Sequence, residues 1–288
     1  MKRVNALLLA GILTIGALTG CGAKADTTGA DTAATETETE AAAPTETTTI
    51  KIAASPTPHA EILNQVKDLM KEKGFNLVVK EFTDYVQPNL AVDTGDCDAN
   101  FFQHQPYLDD FNAERGTHVV SIGAVHYEPF GVYQGKKRSL SDIANGDKIA
   151  VPNDVTNEAR ALNLLEAAGI IKLKSGVGLK ATKLDIVENP NNVEIVELES
   201  AQIPRSLDSV EFACMNGNYA MQANFKASDS LYLEKQDSEA AKLYANIICV
   251  KAGNENADYA KAIMECVKNE KVKDFVNKTY DMSVIIVD

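Results

Sequence analysis

Three hydropathy regimes divide the chain. Residues 6–18 form one uncharged, mostly apolar run behind Lys2 and Arg3, without proline. Residues 22–49 are rich in Thr, Glu and Ala and contain no aliphatic side chain larger than alanine. From Ile50 onward, short strand-like runs alternate with stretches whose apolar residues recur at helical spacing. Residues 50–54 predict a strand. A helix follows over 58–73, with Ile62, Leu63, Val66, Leu69 and Met70 on one face, Thr57 as its cap, Pro58 in its first turn and Gly74 after its end. Next come a strand at 76–82, a short helix at 87–92, a strand at 99–102, a helix at 106–115 stopped by Gly116, and strands at 119–123 and 128–133. The series then restarts, with a strand at 148–151 and a helix at 156–168 stopped by Gly169. Strands at 193–198, 211–215 and 244–250 follow, with a helical turn from Ala201, and helices at 259–268 and 272–280 close the chain.

Strands alternating with helices predict βαβ units and mainly parallel sheets. Two such blocks predict an α/β fold of two lobes. Lobe 1 takes residues 50–128 and 245–288, and lobe 2 takes 129–244. Two extended crossings, at 128–133 and 244–250, join them. Ligands of open α/β sheets bind at the carboxyl ends of the strands, so two facing lobes imply one shared interlobe cleft.

The first two regimes set the location. A basic start followed by an apolar run is the architecture of a secretory signal over residues 1–20. The run is shorter than the roughly 20 residues that span a bilayer. It ends in Leu18-Thr19-Gly20-Cys21, which resembles a bacterial lipobox and implies acylation of Cys21. Two or more acyl chains hold a protein stably at a membrane. Residues 21–49 then read as a disordered acidic tether, because they offer too little apolar surface to offset the entropy of ordering. The expected location is the extracytoplasmic face of a cell membrane.

Charge narrows the partners. The chain carries −13; Lys2 and Arg3 contribute +2 and the tether −5, which leaves −10 on the folded body. An acidic body without a basic stripe argues against nucleic acid and against an anionic membrane surface. The cysteines other than Cys21 (Cys97, Cys214, Cys249, Cys266) show neither a CxxC pair nor zinc spacing. They are expected to be mostly unpaired, buried thiols.

The chain has no GxSxG, HExxH, GxxxxGK or GxGxxG motif, and none of its four histidines pairs with Cys or Glu at ligand spacing. No catalytic residue, metal site or cofactor is therefore assigned, and His59 and His126 read as structural or exposed. What remains is polar and aromatic side chains at element ends. Tyr85 follows a strand. Phe102, His104 and Tyr107 lie in Asn100-Phe101-Phe102-Gln103-His104-Gln105-Pro106-Tyr107, where strand alternation sends Phe101 and Phe102 to opposite faces. Asn157 and Arg160 open a helix whose N-terminus attracts carboxylates. The Arg160 guanidinium can grip a carboxylate with two hydrogen bonds, or else pair with Glu158 or another neighbour at the surface. Asn216 ends a strand in Met215-Asn216-Gly217-Asn218-Tyr219-Ala220.

The stretches SPTPHAEIL (55–63), EFTDYVQPN (81–89), DANFFQHQPYLDDFN (98–112), VHYEPFGVY (125–133), IAVPNDVTNEARALNLLEAAGIIKLKSGVGL (149–179) and MNGNYA (215–220) resemble the methionine-binding lipoproteins of MetQ/NlpA type, the substrate-binding subunits of methionine ABC importers. The resemblance implies a two-lobed periplasmic-binding-protein fold without catalysis, a monomer that delivers its ligand to a membrane permease. It implies that Arg160 and Asn216 bind the ligand's carboxylate and amino group, and that Tyr85, Phe102, His104 and Tyr107 wall the side-chain pocket, with Asn157 adding a polar contact. Aromatic walls suit a thioether. The ligand implied is L-methionine or a close analogue, with D-methionine, methionine sulfoxide and a Gly-Met dipeptide as alternatives. Met215 and Gly217 depart from the family pattern beside Asn216. A hydrolase built on His104 and a surface interaction protein are the readings from other functional classes.

Overall fold

The computed structural model describes residues 47–236 and 242–287. The export signal, Cys21 and the tether up to residue 46 lie outside the described residues. The body is built on two mixed sheets. The first contains β1 (Thr48–Ala54), β2 (Phe75–Glu81), β3 (Ala99–His104), β4 (Val119–Tyr127), β12 (Asn246–Lys251) and β13 (Ile285–Ile286), in the spatial order β13-β4-β12-β3-β1-β2. The second contains β5 (Gly131–Gln134), β6 (Lys148–Pro152), β9 (Glu194–Leu198), β10 (Phe212–Met215) and β11 (Tyr232–Leu233), in the order β11-β5-β10-β6-β9. A two-stranded ribbon, β7 (Lys172–Leu173) with β8 (Ile186–Glu188), flanks it.

The sheets are less parallel than the alternation predicts. β1 pairs in parallel with β2 and β3, and β6 with β9 and β10. The strands next to the crossings run back instead: β12 is antiparallel to β3 and β4, and β5 to β10 and β11. A chain that leaves a sheet at one end and later returns at that same end must run back through it, as Asn246 at the start of β12 does beside His126 at the end of β4.

Three boundaries moved for local reasons. The 58–73 helix is broken at Val66 (φ −104°, ψ 2°) into α1 (Glu61–Gln65) and α2 (Lys67–Glu72). Thr57 does not cap it; its hydroxyl donates to Glu61 Oε1 at 2.5 Å. β4 runs on to Tyr127, and β5 begins only at Gly131, since Pro129 has no N–H to extend a ladder. The first crossing is therefore the short link 128–130. β1 begins two residues before Ile50, where Thr48 N–H bonds the Gly74 carbonyl at 3.0 Å.

The other helices pack on these sheets: α3 (Gln87–Thr94), α4 (Gln105–Arg115), α5 (Val155–Ala167), α6 (Ile203–Ser206), α7 (Gly217–Gln222), α8 (Asp258–Val267) and α9 (Glu270–Thr279). Each sheet has its own core. Ile52, Leu63, Met70, Phe101, Ile248, Ile263 and Val272 fill the first. Phe130, Ile149, Leu162, Leu165, Phe212 and Cys214 fill the second. Burying a side chain of this size contributes about 1.5–3 kcal/mol, so each lobe has the means to hold its own shape and the cleft between them is left for polar groups. Cys97, Cys214, Cys249 and Cys266 are buried and unpaired.

Candidate functional site

The cleft is built from the ends of strands in both sheets. Pro88 and Pro106 open α3 and α4 with φ already set for a first turn. They thereby fix the chain just after Tyr85 and just after His104. His104 caps α4: its Nδ1 accepts from the Tyr107 N–H at 3.2 Å. Nδ1 is thus unprotonated, and Nε2–H donates to Asn157 Oδ1 at 3.1 Å across the cleft. In the opposite lobe, Asp154 caps α5 by accepting from the Asn157 N–H at 3.0 Å and also holds the Asn157 side-chain amide. Asn157 Oδ1 accepts a second bond from Asn216 Nδ2 at 2.9 Å. Tyr107 donates to the Tyr85 carbonyl at 3.0 Å, and Tyr85 donates to Asn218 Oδ1 at 2.6 Å, again across the cleft.

All seven residues singled out from sequence (Tyr85, Phe102, His104, Tyr107, Asn157, Arg160, Asn216) line one small cavity. Gln103, Glu128, Gly217, Asn218 and Asn246 complete its wall. Rings of Tyr85, Phe102 and Tyr107 pack edge-on or tilted at 5.7–6.0 Å. Phe101, next to Phe102 on β3, turns the other way into the core.

Two expectations are corrected here. The α5 N-terminus is capped by Asp154 and is not an open site for a ligand carboxylate. Arg160 is buried, and its partner is Glu234: Nη2 to Oε2 at 2.5 Å and Nε to Oε1 at 3.1 Å. Glu158 instead accepts from the Lys183 N–H at 3.0 Å.

The residue that periodicity overlooked is Glu128, in the first crossing. It is buried, and His126 Nε2 lies 2.7 Å and His59 Nε2 3.5 Å from its Oε1. Burial pushes its carboxyl up to about 7, tempered by His59, the Asn218 backbone amide and Arg160. Burial pulls His59 down to about 4 and His126 down to about 3. The same cause, aided by Arg160, takes His104 to about 3. Neutral imidazoles thus surround a carboxyl poised between its two forms. The available signal was one acidic residue inside an otherwise apolar-aromatic run, Val125-His126-Tyr127-Glu128-Pro129-Phe130.

His59, His126 and Glu128 bring three donor atoms within 4.8 Å of one another. Metal-bound histidines normally donate their second ring N–H to an acceptor, whereas Nδ1 of both His59 and His126 has no partner. The cluster therefore fits a hydrogen-bonded support for Glu128 better than an ion site. Two further buried atoms on the cavity wall are unpaired, Asn216 Oδ1 and Asn218 Nδ2. One is an acceptor and the other a donor, as a ligand with an ammonium and a carboxylate requires. Departures beside Asn216 have local explanations. Met215 turns into the second lobe's core with Tyr133 and Ala150. At Gly217 a Cβ would lie 2.7 Å from the Glu128 Cβ, so only glycine lets Glu128 and Asn218 approach.

Two α/β lobes around a cavity with polar anchors and aromatic walls define the class as a two-lobed substrate-binding protein. Within that class, the chain belongs to the NlpA lipoprotein family, which it matches over residues 50–287. A D-methionine-binding lipoprotein MetQ of Salmonella typhimurium is 40% identical over 236 residues, covering 81% of this chain and 86% of the relative. A solved structure from Ruminococcus gnavus is 56% identical with a TM-score of 0.82, covering 83% of this chain and 99% of that one. A nutrient binding protein from Burkholderia cenocepacia, solved bound to methionine, is 44% identical with a TM-score of 0.79, covering 83% and 100%.

Proposed function

We propose that this chain is a lipid-anchored, extracytoplasmic binding protein that captures methionine in the interlobe cleft, without catalysis, and hands it to an ABC importer. The observation that carries the reading is the pairing of complementary groups in one closed cavity. Glu128 and the unpaired Asn216 Oδ1 suit an ammonium group, and Arg160 with Asn218 Nδ2 suits a carboxylate. Tyr85, Phe102 and Tyr107 suit a thioether. The names of the relatives favour methionine as the amino acid.

In this reading, lobe 1 is 50–128 with 245–288 and lobe 2 is 129–244. A ligand that touches both lobes favours the closed form by its extra contacts there. Among the described residues no helix is long and apolar enough to cross a membrane, and attachment is assigned to lipid on Cys21, after removal of 1–20, through the 21–49 tether. The folded body acts as a monomer beside the permease.

Titration calorimetry with L-methionine, D-methionine, methionine sulfoxide and Gly-Met tests the ligand. L-methionine should bind at micromolar or better, and Arg160→Ala should abolish measurable binding. Absence of heat with every methionine form overturns the ligand, and full affinity in Arg160→Ala overturns the site.

A further inference from the structure

Glu234 lies just after β11. Its carboxylate gathers partners from three parts of the chain. Arg160 donates two hydrogen bonds. The Tyr127 hydroxyl, at the end of β4, donates to Oε2, and the Phe130 N–H of the first crossing donates to the same atom at 3.3 Å. Burial opposes the charge on Glu234, but Arg160 outweighs it and holds the carboxyl below its ordinary value. It is a fixed anion.

Arg160 has five N–H groups. Glu234 occupies two, and the Glu128 carbonyl accepts from Nη2 at 3.2 Å. The two N–H groups on Nη1 are left. The Tyr244 and Phe130 rings cover the guanidinium, 4.1 and 5.0 Å from its central carbon. Arg160, which lines the cavity, therefore has one terminal nitrogen left to offer a ligand, and its charge is cancelled by Glu234.

We propose that Glu234 is a positioning residue that sets the charge class of the ligand: by pairing with Arg160 it makes the cleft select a zwitterionic amino acid over a bare carboxylate with the same side chain. This rests on the reading of the cleft as a methionine site. An anion entering the cavity loses its hydration, finds an already neutralised Arg160–Glu234 pair, and faces Glu128. A zwitterion meets Glu128 with its ammonium and Nη1 with its carboxylate. Removing the charge of Glu234 adds one uncompensated positive charge to a buried site. That attracts an anion strongly, whereas its effects on the two ends of a zwitterion oppose each other.

The experiment measures L-methionine and 4-(methylthio)butanoate, which lacks only the amine, by calorimetry at pH 8 in wild type, Glu234→Gln and Glu234→Asp. Wild type should prefer L-methionine, and Glu234→Gln should shrink that preference by about tenfold or more, equal to about 1.4 kcal/mol. Glu234→Asp keeps the charge and should keep the preference within about threefold. If both affinities fall together in Glu234→Gln, with their ratio unmoved, Glu234 is merely structural and the proposal fails. A ligand-free measurement needs no variant at position 234. The nitrogen-15 resonance of the Arg160 Nε–H, assigned by its loss in Arg160→Lys, should stay protected from exchange between pH 8 and pH 5, and rapid exchange would refute the pairing. Wild type that binds neither compound overturns the methionine reading itself, whereas an unmoved ratio in a wild type that binds methionine overturns the role of Glu234 alone.

Discussion

His104 Nε2 and Asn157 Oδ1 meet at 3.1 Å across the cleft, 53 residues apart in sequence, one at the end of β3 and the other in the first turn of α5. Each is already held by its own helix cap, so the bond joins two preset groups and little side-chain freedom is lost when the lobes close. Asn157→Ala removes the acceptor for both His104 and Asn216. An unmatched buried donor costs about 1–3 kcal/mol. The expected result is a loss of at least about tenfold in methionine affinity. Small-angle scattering should show wild type becoming more compact with ligand and the variant compacting less; equal compaction in both would rule out this bond as a closing contact.

Glu128 should make ligand binding pH-dependent. Its carboxyl, at about 7, faces His59 and His126 from lobe 1, the Asn218 backbone amide from α7 and Arg160 from α5. An ammonium ligand needs the ionised form. Methionine affinity should therefore rise as pH increases from 6 to 8, and Glu128→Gln should flatten the profile. A flat wild-type profile would exclude Glu128 as the ammonium partner.

Stability has a different pH profile. His59, His104 and His126 have folded values of about 3–4, below the ordinary 6.5. The unfolded chain then binds more protons than the folded one between those limits. Their contribution is present above pH 6.5 and is lost as pH falls toward 4. Glu128, raised from 4.5 to about 7, works the opposite way, favouring the fold at low pH and losing that contribution as pH rises through 7. Glu158, also raised to about 7, and Asp154, also raised, act with Glu128, but the three histidines, which take up protons across the whole of that window only when unfolded, outweigh them, so Tm in ligand-free calorimetry should fall between pH 6.5 and pH 4. His126→Asn should reduce that fall, and an unchanged slope would contradict the assignment.

Gly217→Ala places a methyl group 2.7 Å from the Glu128 Cβ and 2.9 Å from its Oε2. Overpacking of this kind costs about 1–3 kcal/mol, and here it also displaces a residue assigned to the ligand's amine. The variant should unfold at a lower temperature and bind methionine at least about tenfold more weakly. Wild-type affinity in Gly217→Ala would mean that Glu128 need not sit where it does.

Cys214 and Cys249 are fully buried, and burial raises both thiols well above their ordinary value. The thiolate is the reactive form. A soluble disulfide reagent should leave both unmodified in the native protein and label them in denaturant. Rapid native labelling would contradict their burial.

Several features needed only neighbouring residues. The apolar run, the lipobox-like Leu18-Thr19-Gly20-Cys21 and the aliphatic-poor stretch 22–49 can be read directly, because they are patterns of local composition. The strand–helix alternation is equally local, and it placed the cleft residues at element ends. The break at Val66 and the start of β5 at Gly131 were harder, because they depend on how a turn closes against its neighbours.

Sequence by itself determined the α/β alternation and, through the family resemblance, seven of the twelve residues that line the cavity. Tertiary structure alone decided what those residues touch. Arg160 has one carboxylate within a turn of it, Glu158, yet its partner is Glu234, 74 residues away. Tyr85 meets Asn218 across 133 residues. Glu128 sits in a three-residue crossing with no period to reveal it, and only the return of β12 beside β4 and the approach of α7 through Gly217 enclose it. Charge and hydrogen-bond partners inside a cleft depend on which distant segments exclude water from the same few ångströms, and no window along the chain contains that information.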